Sequence, residues 1–361
     1  MIIYQVFCFI VVISVVVVVH EFGHYIVARG CGVGVDMFSL GFGKKIFSKK
    51  DKHGTEWKLC LLPFGGYVQM RGDENPASLN AEDEAKLDKK DKTAFYNKNL
   101  KQKFAIIFAG PLFNYILAIF IYASVAFFSG IAVVPNIIGS VAKDGPAYTA
   151  GLKAGDRIVE VNGKNINNFM EVKTEIMLVT KDSINLKIIR NNKIQSIPLK
   201  VEIKESNDGK KTKTKFVGIA ALDPKIEKQA LGDAINYAIS ESYRISSTSL
   251  RAIWQIISGV RSPRELGGPV KIALHSVDAA STGIIGLILF TAFISVNLGL
   301  MNLLPIPLLD GGHLFFYMIE GLIGRKLPKI VYKILLYAGM IVLGGLMAFT
   351  LVNDIMGIIR A

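Results

Sequence analysis

Four stretches of this chain stay apolar for long enough to dictate its architecture. A bilayer core requires about 20 mostly apolar residues per helix, and residues 4–28, 104–128, 283–304 and 330–352 each meet that length. In hydrocarbon every backbone polar group must be satisfied inside the protein, so such segments fold as helices. The expectation is a multi-pass α-helical membrane protein with four transmembrane helices. A secretory signal peptide is the rival reading of the N-terminus. Residues 1–19 hold no Lys or Arg, and Ala28-Arg29-Gly30-Cys31 is a poor cleavage site, so the first segment reads as a retained span.

Basic residues near the spans set the orientation. Arg29, Lys98, Lys101 and Lys103 flank one loop, and Arg325, Lys326 and Lys329 crowd another. The positive-inside rule puts both loops in the cytoplasm and both termini outside. The long segment between the second and third spans is then extracytoplasmic. The net charge of +13 fits contact with anionic membrane lipid. No nucleic-acid-binding module is present, so nucleic acid is not an expected partner. Cys8, Cys31 and Cys60 lack C-x-x-C spacing and read as packing residues.

Between the spans the patterning changes. Residues 1–30 hold the first span, and residues 31–103 read as a cytoplasmic-side β-hairpin followed by a charged linker. The hairpin turns at residues 51–54, and Gly65-Gly66 breaks its second strand. Its apolar character marks it as membrane-associated, because non-helical backbone at membrane depth must be buried in protein or line a cavity. The second span is residues 104–129. Residues 130–225 form an α+β unit, with a strong hairpin turn at Asn162-Gly163 and helical spacing at Val172, Ile176 and Val179. Residues 226–282 carry an amphipathic pattern through Leu231, Ile235, Ile239 and Tyr243, which lies in the membrane interface or packs on the spans. Residues 283–312 hold the third span, and residues 313–361 a short basic loop and the fourth.

The first span holds the chemistry. His20-Glu21-Phe22-Gly23-His24 is an H-E-x-x-H motif. Positions i and i+4 share one helix face, so both imidazoles can reach one metal ion. Glu21 is placed to act as general base toward a water on that metal. An ionisable group at the bilayer centre costs roughly 2.5–3.5 kcal/mol or more and is functional by default. The bland alternative ends the span at Val19 and leaves these residues facing water. Zinc needs a third protein ligand and keeps one position open. The segment Asn302 to Gly312, N-L-L-P-I-P-L-L-D-G-G, supplies it: Pro305 and Pro307 break the helix, and Asp310 sits at the break. His313 competes with Asp310 as the third ligand. His53 and His275 read as plain surface residues. A cation carrier and a non-catalytic scaffold are the other classes. Four spans with no inverted repeat make a poor transport path, and neither class needs Glu21.

H-E-F-G-H in the first span and N-x-x-P-x-P-x-L-D-G-G in the third resemble the site-2 protease family of intramembrane zinc metalloproteases. F-A-G-P-L-F-N-Y-I-L-A-I (residues 108–119) is similar to the G-P-x-x-N motif of that family's second span. L-P-F-G-G-Y-V-Q-M (residues 62–70) is similar to its membrane-reentrant β-loop, and G-L-K-A-G-D-R-I-V-E-V-N-G to a PDZ domain. The order resembles the RseP-like branch, with room for one PDZ domain where many members have two.

The resemblance implies that His20, His24 and Asp310 bind Zn2+, that Glu21 is the catalytic base, and that Asn302 contacts substrate or the oxyanion. Pro305, Gly65, Gly66 and Tyr67 are further expected substrate contacts. It implies an inner-membrane enzyme. Its expected partners are single-pass membrane proteins, first trimmed by a site-1-type protease and then cut within the span. Release of anti-sigma factors and removal of remnant signal peptides are the expected outcomes.

Overall fold

The computed structural model describes residues 2–72, 90–180, 182–205, 213–325 and 327–359. Most of the charged linker and the tip of the polar run 204–215 lie outside them. The chain divides into two compact units. One comprises Met1–Ser124, Asp233–Ser249 and Leu266–Ile355, the other Val125–Gly232, Leu250–Glu265 and Met356–Ala361.

Among the described residues four helices are long and apolar enough to cross a membrane: Val6–Gly30, Leu100–Phe128, Ile284–Leu303 and Ile330–Gly357. They belong to α1 (Ile2–Gly30), α2 (Leu100–Phe128), a helix spanning Ile284–Leu303, and a last helix spanning Lys329–Ile359. Each falls within a few residues of its expected span. Small residues let the backbones touch, as membrane helix packing requires. A Cβ on Gly23 of α1 would run into the carbonyl of Ala109 on α2. One on Gly299 would stand 3.1 Å from the carbonyl oxygen of Pro111.

Strands β1 (Val35–Lys50) and β2 (Glu56–Met70) follow α1, with the turn at the expected place. Both are bent, and the register is unusual. Phe38 pairs with both Val68 and Trp57, and Leu40 with both Gly66 and Leu59. The first half of β1 therefore lies between the two halves of β2. The far half of β1 pairs again with the near half of β2, Lys45 opposite Cys60 and Lys50 opposite Glu56. Among the described residues, residues 66–70 have a strand partner on one side only. Phe42, Ile46, Phe47, Leu59, Leu61 and Leu62 are exposed on this hairpin, the surface of a segment that meets lipid rather than water. Asp51 organises the turn. Burial works against its charged form, but hydrogen bonds from the Trp57 indole and the backbone N–H groups of His53 and Thr55 hold its pKa down at about 2.

The second unit is an α+β fold. Strands β3 (Ile131–Val133) and β4 (Ile138–Val141) lead into α3 (Pro146–Thr149), β5 (Arg157–Val161) and β6 (Lys164–Asn165). Helix α4 (Phe169–Leu178), β7 (Ser183–Arg190) and β8 (Lys193–Lys200) follow. The sheet order is β6-β5-β7-β8. Then come β9 (Glu202–Glu205), β10 (Lys213–Phe216), β11 (Ile219–Ala221) and β12 (Lys225–Glu227), with β9 paired to β10, β11 to β4 and β12 to β3. The Asn162-Gly163 turn has φ of 49° and 88° at its two residues, the left-handed pair that a two-residue hairpin loop selects. Ile138, Ile158, Val172, Leu186, Ile188 and Leu199 form the centre of the core.

The amphipathic segment after this unit is α5 (Leu231–Ile257), followed by α6 (Pro269–Ser281). Within the first unit α5 packs on the spans, one of the two expected placements, but with its faces reversed. Its buried residues are Ala234, Ala238, Ser242 and Ile245, against Ala118 and Tyr122 of α2 and Ala292 and Val296 of the third span. Leu231, Ile235, Ile239 and Tyr243, which carry the amphipathic pattern, are exposed. Small residues inward and large apolar residues outward is the logic of a helix facing hydrocarbon.

Asp156 of the second unit is buried and accepts two hydrogen bonds from Arg190 (2.7 and 2.6 Å) and one from the backbone of Lys153 (2.8 Å). Burial opposes its charge, but the Arg190 guanidinium prevails and holds its pKa below the ordinary aspartate value. A depressed carboxylate stabilises the fold above its unfolded pKa and loses that contribution as pH falls through the folded one. Arg190→Ala, which strands a buried charge, is expected to destabilise this unit by about 3 kcal/mol at neutral pH. The deficit should shrink below about pH 4. Thermal unfolding of the full chain in detergent at the two pH values checks both.

Candidate active site

The spans bring three ligand atoms to one buried point. His20 and His24 lie one helical turn apart on α1, both buried. Their Nε2 atoms are 3.2 Å apart. Asp310 arrives from the third span. Helix α7 (Ile284–Leu303) ends, residues 304–309 break the path, and α8 begins at Asp310 (Asp310–Ile323). Leu308 takes a φ of 81° in the break. Gly311 and Gly312 let the broken segment fold back on the start of α8: a Cβ on either would strike the carbonyls of Leu304 or Ile306. The Asp310 Oδ2 then lies 3.1 Å from His20 Nε2 and 3.5 Å from His24 Nε2.

The chemistry of this donor set calls for a cation. His24 Nδ1 donates to the backbone carbonyl of Ile106 at 2.8 Å, so its Nε2 carries a lone pair. Asp310 Oδ2 is buried and, among the described residues, accepts no hydrogen bond. Lone pairs facing one another in a buried site repel unless a positive ion sits among them. Ligands at zinc's bond lengths of about 2.0–2.1 Å in tetrahedral array stand about 3.3 Å apart, and the three observed separations bracket that value. The residues fit zinc with one position left open. Among the described residues these three form the one grouping of this kind.

The competing candidate falls out on geometry. His313 Nδ1 is 2.8 Å from the hydroxyl of Tyr332, and its ring belongs to no ligand cluster. His53 and His275 are exposed, as expected. Glu21 is half-buried beside the cluster, and the backbone amide of Val68 on β2 is hydrogen-bonded to it. Gly66 lies alongside: a Cβ there would come within 3.8 Å of Glu21 Cγ. Tyr67 is exposed and stacks on Phe42 with centroids 6.0 Å apart. Gly65 has a φ of 101°. Asn302 is half-buried in the last turn of α7, and Pro305 is exposed in the break. Among the described residues neither has a hydrogen bond to the three ligands.

Two residues of α2 complete the site, and sequence reasoning gave neither a role. A Cβ on Gly110 would overlap the His24 ring and reach 2.7 Å from His20 Cε1. Asn114 is fully buried against the back of His20. Both belong to the G-P-x-x-N motif at residues 110–114, which the sequence displays without assigning it a role.

The sequence profile of peptidase family M50 matches residues 8–346. The chain belongs to peptidase family M50. Relatives of similar length extend the match. A Rickettsia conorii protein provisionally named a zinc metalloprotease is 41% identical over 96% of this chain and 97% of its own. A Mesorhizobium japonicum protein of the same provisional name is 35% identical over 97% and 98%. One from Campylobacter jejuni is 34% identical over 97% and 93%. A solved PDZ domain from a Listeria monocytogenes protein covers 26% of this chain and 90% of its own, at 25% identity and a TM-score of 0.21. The M50 protein is a zinc metalloprotease of the membrane-integral, site-2 protease type.

Gly110→Val is expected to reduce bound zinc at least tenfold, because its side chain occupies the space of both imidazoles. Gly344→Ala, where a Cβ meets nothing within 4 Å, should retain wild-type zinc. Metal content per chain after dialysis against a weak chelator checks the pair.

Proposed function

We propose that this enzyme hydrolyses peptide bonds within the transmembrane segment of single-pass membrane proteins. The observation that carries the reading is the placement of a half-unpaired strand edge, residues 66–70, beside Glu21 and the His20–His24–Asp310 cluster. A peptide bond in a helix is shielded by its own hydrogen bonds. A substrate unwound at membrane depth must find new partners for its backbone, since each orphaned group costs several kcal/mol. Pairing with residues 66–70 by β-augmentation supplies them. It lays the extended chain across Glu21.

The roles follow from position. His20, His24 and Asp310 hold the metal. Bound there, Zn2+ supplies a Lewis acid that polarises the scissile carbonyl and lowers the pKa of water at the open position. Glu21 takes the proton of the attacking water and delivers it to the departing amine. Gly65 and Gly66 keep the edge free of side chains, and Tyr67 flanks it. Asn302 and Pro305, at and beyond the end of α7, contact the substrate or the developing oxyanion.

The PDZ-type unit acts as a filter that excludes substrates with bulky outer domains. That fits prior trimming by a site-1-type protease, with release of a cytoplasmic fragment or disposal of a remnant signal peptide as the result. The unit and both termini face the outside of the inner membrane.

Glu21→Gln is expected to keep near-stoichiometric zinc and lose cleavage of a single-span reporter by about 10²–10⁴-fold. Zinc loss in this variant, or cleavage that survives it, removes Glu21 from the role. Tyr67→Pro, which removes a backbone N–H from residues 66–70 and disturbs this segment of β2, should lower cleavage at least tenfold with zinc unchanged. A reporter with a Gly-Pro pair in its span should lose less. Metal analysis and reporter assays on detergent-purified protein read both.

A further inference from the structure

The two ligand histidines are oriented from behind, and only one of the orienting groups is a fixture of the backbone. Zinc bound at His20 Nε2 requires the lone pair there, so the ring proton must sit on Nδ1. That proton needs an acceptor in a buried place. The group it faces is the side-chain amide of Asn114, 3.2 Å away. Asn114 is itself fully buried, and among the described residues its Oδ1 has no hydrogen-bond partner. With Nδ2 turned toward His20, two donors would confront each other while an acceptor goes unused. A half-turn of the amide about its terminal bond places Oδ1 opposite the Nδ1 proton.

The residue is held where this works. The Asn114 backbone carbonyl accepts from Ser295 Oγ of α7 at 2.8 Å. A Cβ on Gly299 would stand 3.2 Å from Asn114 Cβ, so α7 presses directly on the position. Ile106 and Asn114 lie two turns apart on α2 and meet the two ligand rings in turn.

We propose that Asn114 is a positioning residue for the metal centre: its side-chain oxygen accepts the Nδ1 proton of His20, fixes the metal-binding tautomer and sets zinc affinity. The inference rests on His20 being a ligand through Nε2, and its test separates the two claims. Orienting partners of ligating histidines are worth about 10–100-fold in metal affinity. In full-length protein in detergent, zinc affinity is measured by competition with a chromophoric chelator.

Asn114→Leu, which keeps the bulk and removes the acceptor, is expected to weaken zinc 10–100-fold. Asn114→Asp, which keeps an acceptor at the same reach, is expected to stay within about threefold of wild type. Excess zinc should restore most cleavage by the leucine variant. A packing role would damage both variants alike and would not respond to zinc. Asn114→Ala carries the same expectation if the leucine variant does not fold. Wild-type affinity in the leucine or alanine variant, or equal loss in the aspartate variant, overturns the proposal. His20→Ala is run alongside: if it keeps wild-type zinc, the ligand reading itself has failed.

Discussion

Hydrocarbon offers nothing to an unpaired polar group, and the whole molecule is arranged around that refusal. Two histidines, a glutamate and an aspartate stand among helices that present mostly carbon. Each is answered by protein: a carbonyl of Ile106 for His24, a backbone amide of Val68 for Glu21, and a shared focus for the three ligand atoms. The same constraint explains why the break before Asp310 folds back on the start of its own following helix, and why the strand segment beside the cluster lies against α1.

Helix contacts deliver the precision that metal binding requires. The α1–α2 seam is built from glycines, so backbone faces backbone at Gly23 and imidazole faces backbone at Gly110. Ligand positions are thereby set by main chain, which is stiffer than interlocked side chains. Helix α5 extends the principle, burying Ala234, Ala238, Ser242 and Ile245 against α2 and α7 while Leu231, Ile235 and Ile239 stay outside.

Much of this was legible in the sequence, for definite reasons. Span length follows from bilayer thickness, and His20 and His24 share a face because the helix repeats every 3.6 residues. Pro305 and Pro307 announced a break, and Asp310 rather than His313 proved to face the cluster. Other features left no readable trace. The double pairing of Phe38 and Leu40 has no alternation pattern to reveal it, because both sides of that strand segment are covered. The amphipathic pattern of α5 was visible, but the rule that apolar faces turn inward belongs to proteins in water. The orienting partner of His24 is a carbonyl, an atom every residue possesses, so no letter marks it.

That anonymity has a genetic consequence. Since the acceptor for His24 is main chain, no substitution at Ile106 can delete it. The position is free to drift among side chains that suit its surroundings, while the ring remains anchored. Loss of that acceptor must come from insertions, deletions or prolines that change the course of α2. The orienting partners of the two histidines thus answer to different kinds of mutation.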